Sequence, residues 1–170
     1  MRTVRIAGVV RQSIVDGTGL RLTVFAQGCP HRCEGCHNPH THDFGGGYDC
    51  AVEKLLGELD RNPLLRGITL SGGEPLCRAR ELLPLAQGAR ERGRDVWCYT
   101  GYTFEQLAAM AREDMALAEL LGCIDVLVDG PYEAARRDLT LRFRGSANQR
   151  ILDLGKSLAA GEAVPMDLPD

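Results

Sequence analysis

Three thiols within eight positions are the part of this chain best equipped for chemistry. They lie in Phe25-Ala-Gln-Gly-Cys29-Pro-His-Arg-Cys33-Glu-Gly-Cys36-His-Asn-Pro-His-Thr-His42, where Cys29, Cys33 and Cys36 are spaced by four and three residues. Gly28 and Gly35 loosen the backbone and Pro30 and Pro39 turn it, so the sulfurs can converge on one metal centre. No fourth cysteine is close in sequence. Three protein ligands leave a coordination position open, and an open position is where a metal reacts instead of bracing a fold. Thiolates suit either zinc or an iron-sulfur cluster. All four histidines, His31, His37, His40 and His42, fall within or just after the cysteines, so spacing alone leaves a closed site of three cysteines and one histidine open beside the cluster.

The elements that must carry this segment are readable on either side of it. Val4 to Val10 and Leu22-Thr-Val-Phe-Ala26 are apolar runs with β-branched residues and predict strands. Asp16-Gly-Thr-Gly19, between them, is either a plain loop or a turn whose backbone approaches something closely. Gly45-Gly-Gly47 closes the cysteine loop as a flexible connection. Val52, Leu55, Leu56 and Leu59 recur at helical spacing, up to Asn62-Pro63. Gly67-Ile-Thr-Leu-Ser71 predicts a buried strand running straight into Gly72-Gly-Glu-Pro75. The next helix is expected from about Leu82, because Pro84 is tolerated only in a first turn.

Asp95-Val-Trp-Cys-Tyr99 predicts another strand, and Thr103-Phe-Glu-Gln106 has the form of a capping box ahead of Phe104, Leu107, Ala108 and Ala111. Asp114 can cap a second helical piece through Leu121, and Ile124 to Val128 is a strand stopped by Asp129-Gly-Pro131. Leu139 to Phe143 and Gln149 to Leu154 read as further extended structure. A single domain is expected over residues 1–154, followed by a weakly ordered tail over 155–170. Strands alternating with helices indicate βαβ units and a parallel sheet, whose ligands collect at the carboxyl ends of the strands. The cysteine loop, Gly72 to Pro75, Thr100-Gly101 and Asp129-Gly130 each follow a predicted strand. All four should therefore line one edge.

At 170 residues, with 44% hydrophobic and 25% charged residues, the chain can bury one sizeable core. A net charge of -3 favours neither nucleic acid nor an anionic membrane. Arg136, Arg137, Arg142, Arg144 and Arg150 gather late in the chain, as a solvated basic face or as a docking patch for an acidic partner. No run approaches the roughly 20 apolar residues of a membrane span, and the N-terminus lacks a secretory h-region. A cytoplasmic protein is expected. In a reducing compartment, Cys50, Cys77, Cys98 and Cys123, scattered in or beside apolar runs, serve packing.

Cys29-x3-Cys33-x2-Cys36 followed by Gly72-Gly-Glu-Pro75 resembles the radical S-adenosylmethionine (SAM) superfamily. The resemblance implies an α/β fold, an incomplete (β/α) barrel with a mostly parallel sheet. It also implies a 4Fe-4S cluster held by Cys29, Cys33 and Cys36, with SAM chelating the remaining iron and Gly72, Gly73, Glu74 and Pro75 receiving its amino group. A narrower resemblance, to the activating proteins of anaerobic ribonucleoside-triphosphate reductases, covers Ser13-Ile-Val-Asp-Gly-Thr-Gly-Leu-Arg21, Gln27 to His31, His37 to Asp43, Trp97 to Thr103, Asp125 to Pro131 and Arg144-Gly-Ser-Ala-Asn-Gln-Arg150. Most superfamily members carry an aromatic residue where this chain has Gly35. The narrower family shares the glycine, which implies adenine contacts from the backbone around Gly35, Cys36 and His37.

The implied activity is reductive cleavage of SAM and removal of a hydrogen from a glycine of the partner reductase, leaving a glycyl radical. A reduced flavodoxin or ferredoxin is the implied electron donor. Asp16 to Arg21 and the basic residues between Arg136 and Arg150 would border the opening for the partner loop, while Asp129 is either a ligand or cation contact or a turn cap. A radical enzyme acting on a small molecule, such as a carboxydeazaguanine synthase, and a zinc-stabilised binding module are the alternative readings.

Overall fold

In the computed structural model, which describes residues 2–168, the apolar runs become seven strands of one sheet. They are β1 (Thr3–Ser13), β2 (Arg21–Ala26), β3 (Tyr48–Ala51), β4 (Gly67–Gly72), β5 (Asp95–Tyr99), β6 (Val126–Asp129) and β7 (Arg150–Asp153). Their order across the sheet is β3-β1-β2-β4-β5-β6-β7. β2, β4, β5 and β6 pair in parallel, whereas β1 is antiparallel to β2 and β3, and β7 is antiparallel to β6. All strands but β1 and β7 therefore point the same way. The sheet stays open between its outermost strands, as the incomplete barrel requires.

Side-chain alternation gives each face its own packing. Val24, Leu70, Cys98, Leu127 and Leu152 form one register row across five strands, each at most 1% exposed. That face carries α1 (Val52–Arg61), α2 (Ala79–Glu91), α3 (Phe104–Ala111) and α4 (Met115–Leu121), which contribute Leu55, Leu59, Leu82, Leu85, Leu107, Leu117 and Leu120 to the core. Burying each such side chain stabilises the fold by roughly 1.5–3 kcal/mol. On the opposite face Trp97, Val126 and Val128 pack with Phe143, Ile151, Met166 and Leu168. The turn after Asp16 also covers this face: a Cβ on Gly17 would stand 2.8 Å from the Arg21 and Trp97 side chains, so the expected close approach of that glycine is real. Arg21 is fully buried beneath it, donating to the Thr18 and Ile68 carbonyls and to Thr69 Oγ1 at 2.8 Å each.

Three expectations need correction. The helix expected from Leu82 begins at Ala79, after a 3-10 turn over Pro75–Arg78, so Pro84 lies inside it. Ala79, Leu82, Leu85, Ala86 and Ala89 are all buried along one stripe, and that packing outweighs the hydrogen bond a proline removes. Leu139 to Phe143 forms turns and bends instead of a strand. Residues 155–168 are not a weakly ordered tail: α5 (Leu154–Ala160) ends on a left-handed Gly161, and the chain returns to bridge Leu152 with Pro165. Residues 169 and 170 lie outside the described residues.

Candidate metal centre and ligand cavity

At the end of β2 the chain folds back on itself. Gly28 takes a φ of +105, and a Cβ there would lie 2.3 Å from the Phe44 ring. Its N–H donates to the Thr41 carbonyl at 2.6 Å and that of Cys29 to the His42 carbonyl at 3.1 Å, which closes the neck of the loop. Buried Gln27 fastens the inside, its amide donating to the carbonyls of His40 at 3.1 Å and Asp43 at 2.6 Å. The return through Gly45–Gly47 is held too, since Arg5 donates to the Gly45 and Gly46 carbonyls.

Cys29, Cys33 and Cys36 all line one cavity of about 530 Å³ at the carboxyl ends of the parallel strands. Gly72 and Gly73, Thr100 and Gly101, and Gly130 complete its wall, so the four loops meet as the strand pattern predicts. All three thiols are unpaired and partly exposed. Burial pushes the Cys29 thiol up, against the pull of hydrogen bonds from the His31 and Arg32 backbone, so thiolate ligation there has to be driven by the metal. The Cys36 sulfur accepts the Asn38 N–H at 3.4 Å and lies 3.3 Å from His42 Nε2.

The glycine turn after β4 is pressed against this neck. A Cβ on Gly73 would stand 2.5 Å from the Gly28 carbonyl oxygen, and the Glu74 N–H donates to that same carbonyl at 2.7 Å. Gly72 and Gly73 face the cavity. Glu74 and Pro75 depart from the expectation, because both are buried and neither lines the wall. Glu74 Oε1 accepts from Thr100 Oγ1 and the Gly101 N–H at 2.8 Å each and lies 2.6 Å from His31 Nε2, while Oε2 accepts the Leu76 N–H at 3.0 Å. The carboxylate ties three loops together from behind.

The histidines divide among different partners. His31 is on Glu74, His42 is on Cys36, and His37 sits 4.9 Å from the Tyr132 ring. Among the described residues, no three His, Cys, Asp or Glu side chains are gathered around the position of a single ion. Asp129 is 1% exposed and does not line the cavity. It accepts the Phe104 N–H at 2.7 Å and pairs with Arg150, which is held well above the usual arginine range mainly by that pairing; Asp129 is a helix cap and an ion pair. Ile14, Val15, Tyr132 and Phe143 reach the cavity without having been singled out in sequence. The available signal for Tyr132 was its place directly after the strand-ending Gly130-Pro131. Both stretches expected at the opening do reach it, through Asp16 on one side and Arg142 and Arg144 on the other.

Three unpaired thiols beside a glycine-walled cavity are the donor set of a cluster with one iron left free, and the volume lies in the range of small-molecule sites. Residues 15–152 match the family described as 4Fe-4S single cluster domain, which places the chain in that class of iron-sulfur proteins. It is 36% identical over 146 residues to the anaerobic ribonucleoside-triphosphate reductase-activating protein of Haemophilus influenzae, covering 81% of this chain and 90% of the relative. The protein of the same name from Escherichia coli K12 is 38% identical, covering 81% and 91%, and that of Enterobacteria phage T4 is 35% identical, covering 81% and 86%. The chain belongs to the family of anaerobic ribonucleoside-triphosphate reductase-activating proteins. Among solved structures, QueE from Escherichia coli aligns with a TM-score of 0.50 at 23% identity over 61% of this chain. The chain spans only 55% of QueE, and the likeness is one of fold. The incomplete (β/α) barrel is of the radical SAM type.

Proposed function

We propose that this chain cleaves SAM reductively at a 4Fe-4S cluster held by Cys29, Cys33 and Cys36, and thereby installs a glycyl radical in an anaerobic ribonucleoside-triphosphate reductase. The observation that carries the reading is the meeting of three thiols and the Gly72-Gly73 turn on one open-sided cavity, in a chain whose relatives are named for activating that reductase. When bound, the cluster supplies one electron to the sulfonium, whose carbon-sulfur bond breaks to give methionine and a 5'-deoxyadenosyl radical that takes a hydrogen from the target glycine.

The protein's own residues bind, orient and seclude. Cys29, Cys33 and Cys36 hold three corners of the cluster and leave the fourth to the amino acid end of SAM. Gly72 and Gly73 bring bare main chain to the cavity, where carbonyl oxygens suit an ammonium group, and Glu74 and Pro75 stiffen that turn from the buried side. The backbone of Gly35, Cys36 and His37 faces the nucleoside. The exposed Ile14 and Val15, with Asp16, border the mouth opposite Leu141, Arg142 and Arg144, and the partner's glycine loop enters between them. Electrons come from a reduced flavodoxin or ferredoxin in the cytoplasm. In keeping with this, no helix among the described residues is long and apolar enough to cross a membrane.

The test is anaerobic purification with iron and sulfide analysis, followed by incubation with the reductase, SAM and reduced flavodoxin. A glycine-centred electron paramagnetic resonance signal and 5'-deoxyadenosine are expected, and Cys29→Ser, Cys33→Ser or Cys36→Ser should each abolish both. Retention of deoxyadenosine release by any of these variants, or an iron-free anaerobic protein, overturns the proposal.

A further inference from the structure

We infer that Tyr132 is the seat of the purine base of the nucleoside ligand, its ring held in a slot that Gly35 and Gly145 keep clear. The inference rests on the SAM reading above. Between Cys29 and Cys36 the only ring system is the His31 imidazole, apart from Pro30, and His31 is engaged with Glu74. A flat π-surface for a base therefore has to reach the thiols from another element. Tyr132, just beyond β6, supplies one: it is partly exposed and lines the cavity together with Cys36 and His37.

The slot is built from both sides. Gly35 has a φ of +73, and a Cβ on it would stand 3.7 Å from the Tyr132 ring and 3.3 Å from the Ala134 Cβ. A larger side chain there would strain the backbone and intrude on the ring. Opposite, a Cβ on Gly145 would stand 3.2 Å from two atoms of the same ring. The backbone flanking Tyr132 is pinned, since Asn148 Nδ2 donates to the Pro131 carbonyl at 2.7 Å and the Glu133 N–H donates to the buried Ser146 Oγ at 3.2 Å. His37 meets the ring at a 51° tilt, which makes a corner and not a closed stack. The other cavity aromatics are placed for packing: Phe143 stands edge-on to Trp97 at 5.3 Å, and Tyr99 lies on β5, away from the cysteine loop.

The test uses cluster-loaded, anaerobic protein and equilibrium binding of three probes: SAM, 5'-deoxyadenosine, which carries the base without the amino acid, and methionine, which carries the amino acid without the base. For Tyr132→Ala, affinity for SAM and deoxyadenosine should fall roughly tenfold or more, the size expected for one lost base–aromatic contact, while methionine affinity and iron content hold. Tyr132→Phe keeps the ring and should bind all three like the wild type. Unchanged SAM binding by a folded, iron-loaded Tyr132→Ala protein overturns the inference, as does an equal loss for methionine, which would make Tyr132 a general wall of the cavity. Failure of the wild-type protein to bind SAM at all would instead sink the functional reading beneath it.

Discussion

Glu74→Gln separates a carboxylate that shapes the site from one that touches the ligand. Glu74 is fully buried and satisfies four groups: Thr100 Oγ1, the Gly101 and Leu76 N–H groups, and His31 Nε2. Glutamine offers a single oxygen. Turned toward Thr100, Gly101 and His31, it leaves its NH2 facing the Leu76 N–H; turned the other way, it faces NH2 toward the remaining partners. At least one buried donor is left unmatched in either case, at a cost of about 1–3 kcal/mol, and the bonds that remain lose their charge assistance. Taking about 2 kcal/mol, and about 2–4 °C per kcal/mol for a protein of this size, the melting temperature should drop by roughly 4–8 °C. Anaerobic thermal unfolding followed by circular dichroism, on samples matched for iron, measures it. A melting temperature within about 1 °C of the wild type, combined with a large loss of SAM affinity, would refute the reasoning and return Glu74 to the ligand's amino group.

Three further substitutions probe the frame around the site. Gly73→Ala should cost about 1–3 kcal/mol, since its Cβ would press on the Gly28 carbonyl, and it should weaken SAM binding in the same calorimetric series. Gly161→Ala has open space around it and only a left-handed φ of +71 to oppose it, so about 1–2 kcal/mol and unchanged ligand binding are expected. Pro84→Ala restores a helical N–H within α2 and should raise the unfolding midpoint in urea, by up to about 3 kcal/mol of stability. Deleting residues 155–170 should make the domain markedly more sensitive to limited proteolysis, because it removes the buried Leu154 helix's body and the Met166 and Leu168 contacts to the Trp97 cluster.

Periodicity made most of the frame legible. The alternating burial of β4 and β5 and the Leu55, Leu56 and Leu59 stripe of α1 are local patterns, and the Thr103–Gln106 capping box forms both of its reciprocal bonds. Convergence of the thiols with the Gly72 turn followed from the rule that parallel strands present their carboxyl ends together. Placing Glu74 was harder, because its partners come from three separate loops and its residue type suggests a ligand contact as readily as a buried tie. The C-terminal segment was misread because Gly161, Pro165 and scattered polar residues look like a tail. The signal was there in Val164, Met166 and Leu168 at two-residue spacing, but its strength lies in tertiary pairing with β7: the Asp153 N–H donates to the Val164 carbonyl at 2.9 Å, and the Met166 N–H to that of Ile151 at 3.0 Å. Tyr132 escaped notice for a related reason, since the glycines that accommodate it stand on two other segments.

The cavity draws on stretches near residues 29, 72, 100 and 130, and this dispersal bears on how the protein is made. A nascent chain that has emerged as far as Leu76 already displays all three sulfurs, yet Thr100, Gly101 and Tyr132 are still to be synthesised. During that interval the thiols are open to zinc and to oxidants, without the shelter of the finished domain. Loading iron after release from the ribosome, once β5, β6 and β7 have joined the sheet, is the order of events that avoids the hazard.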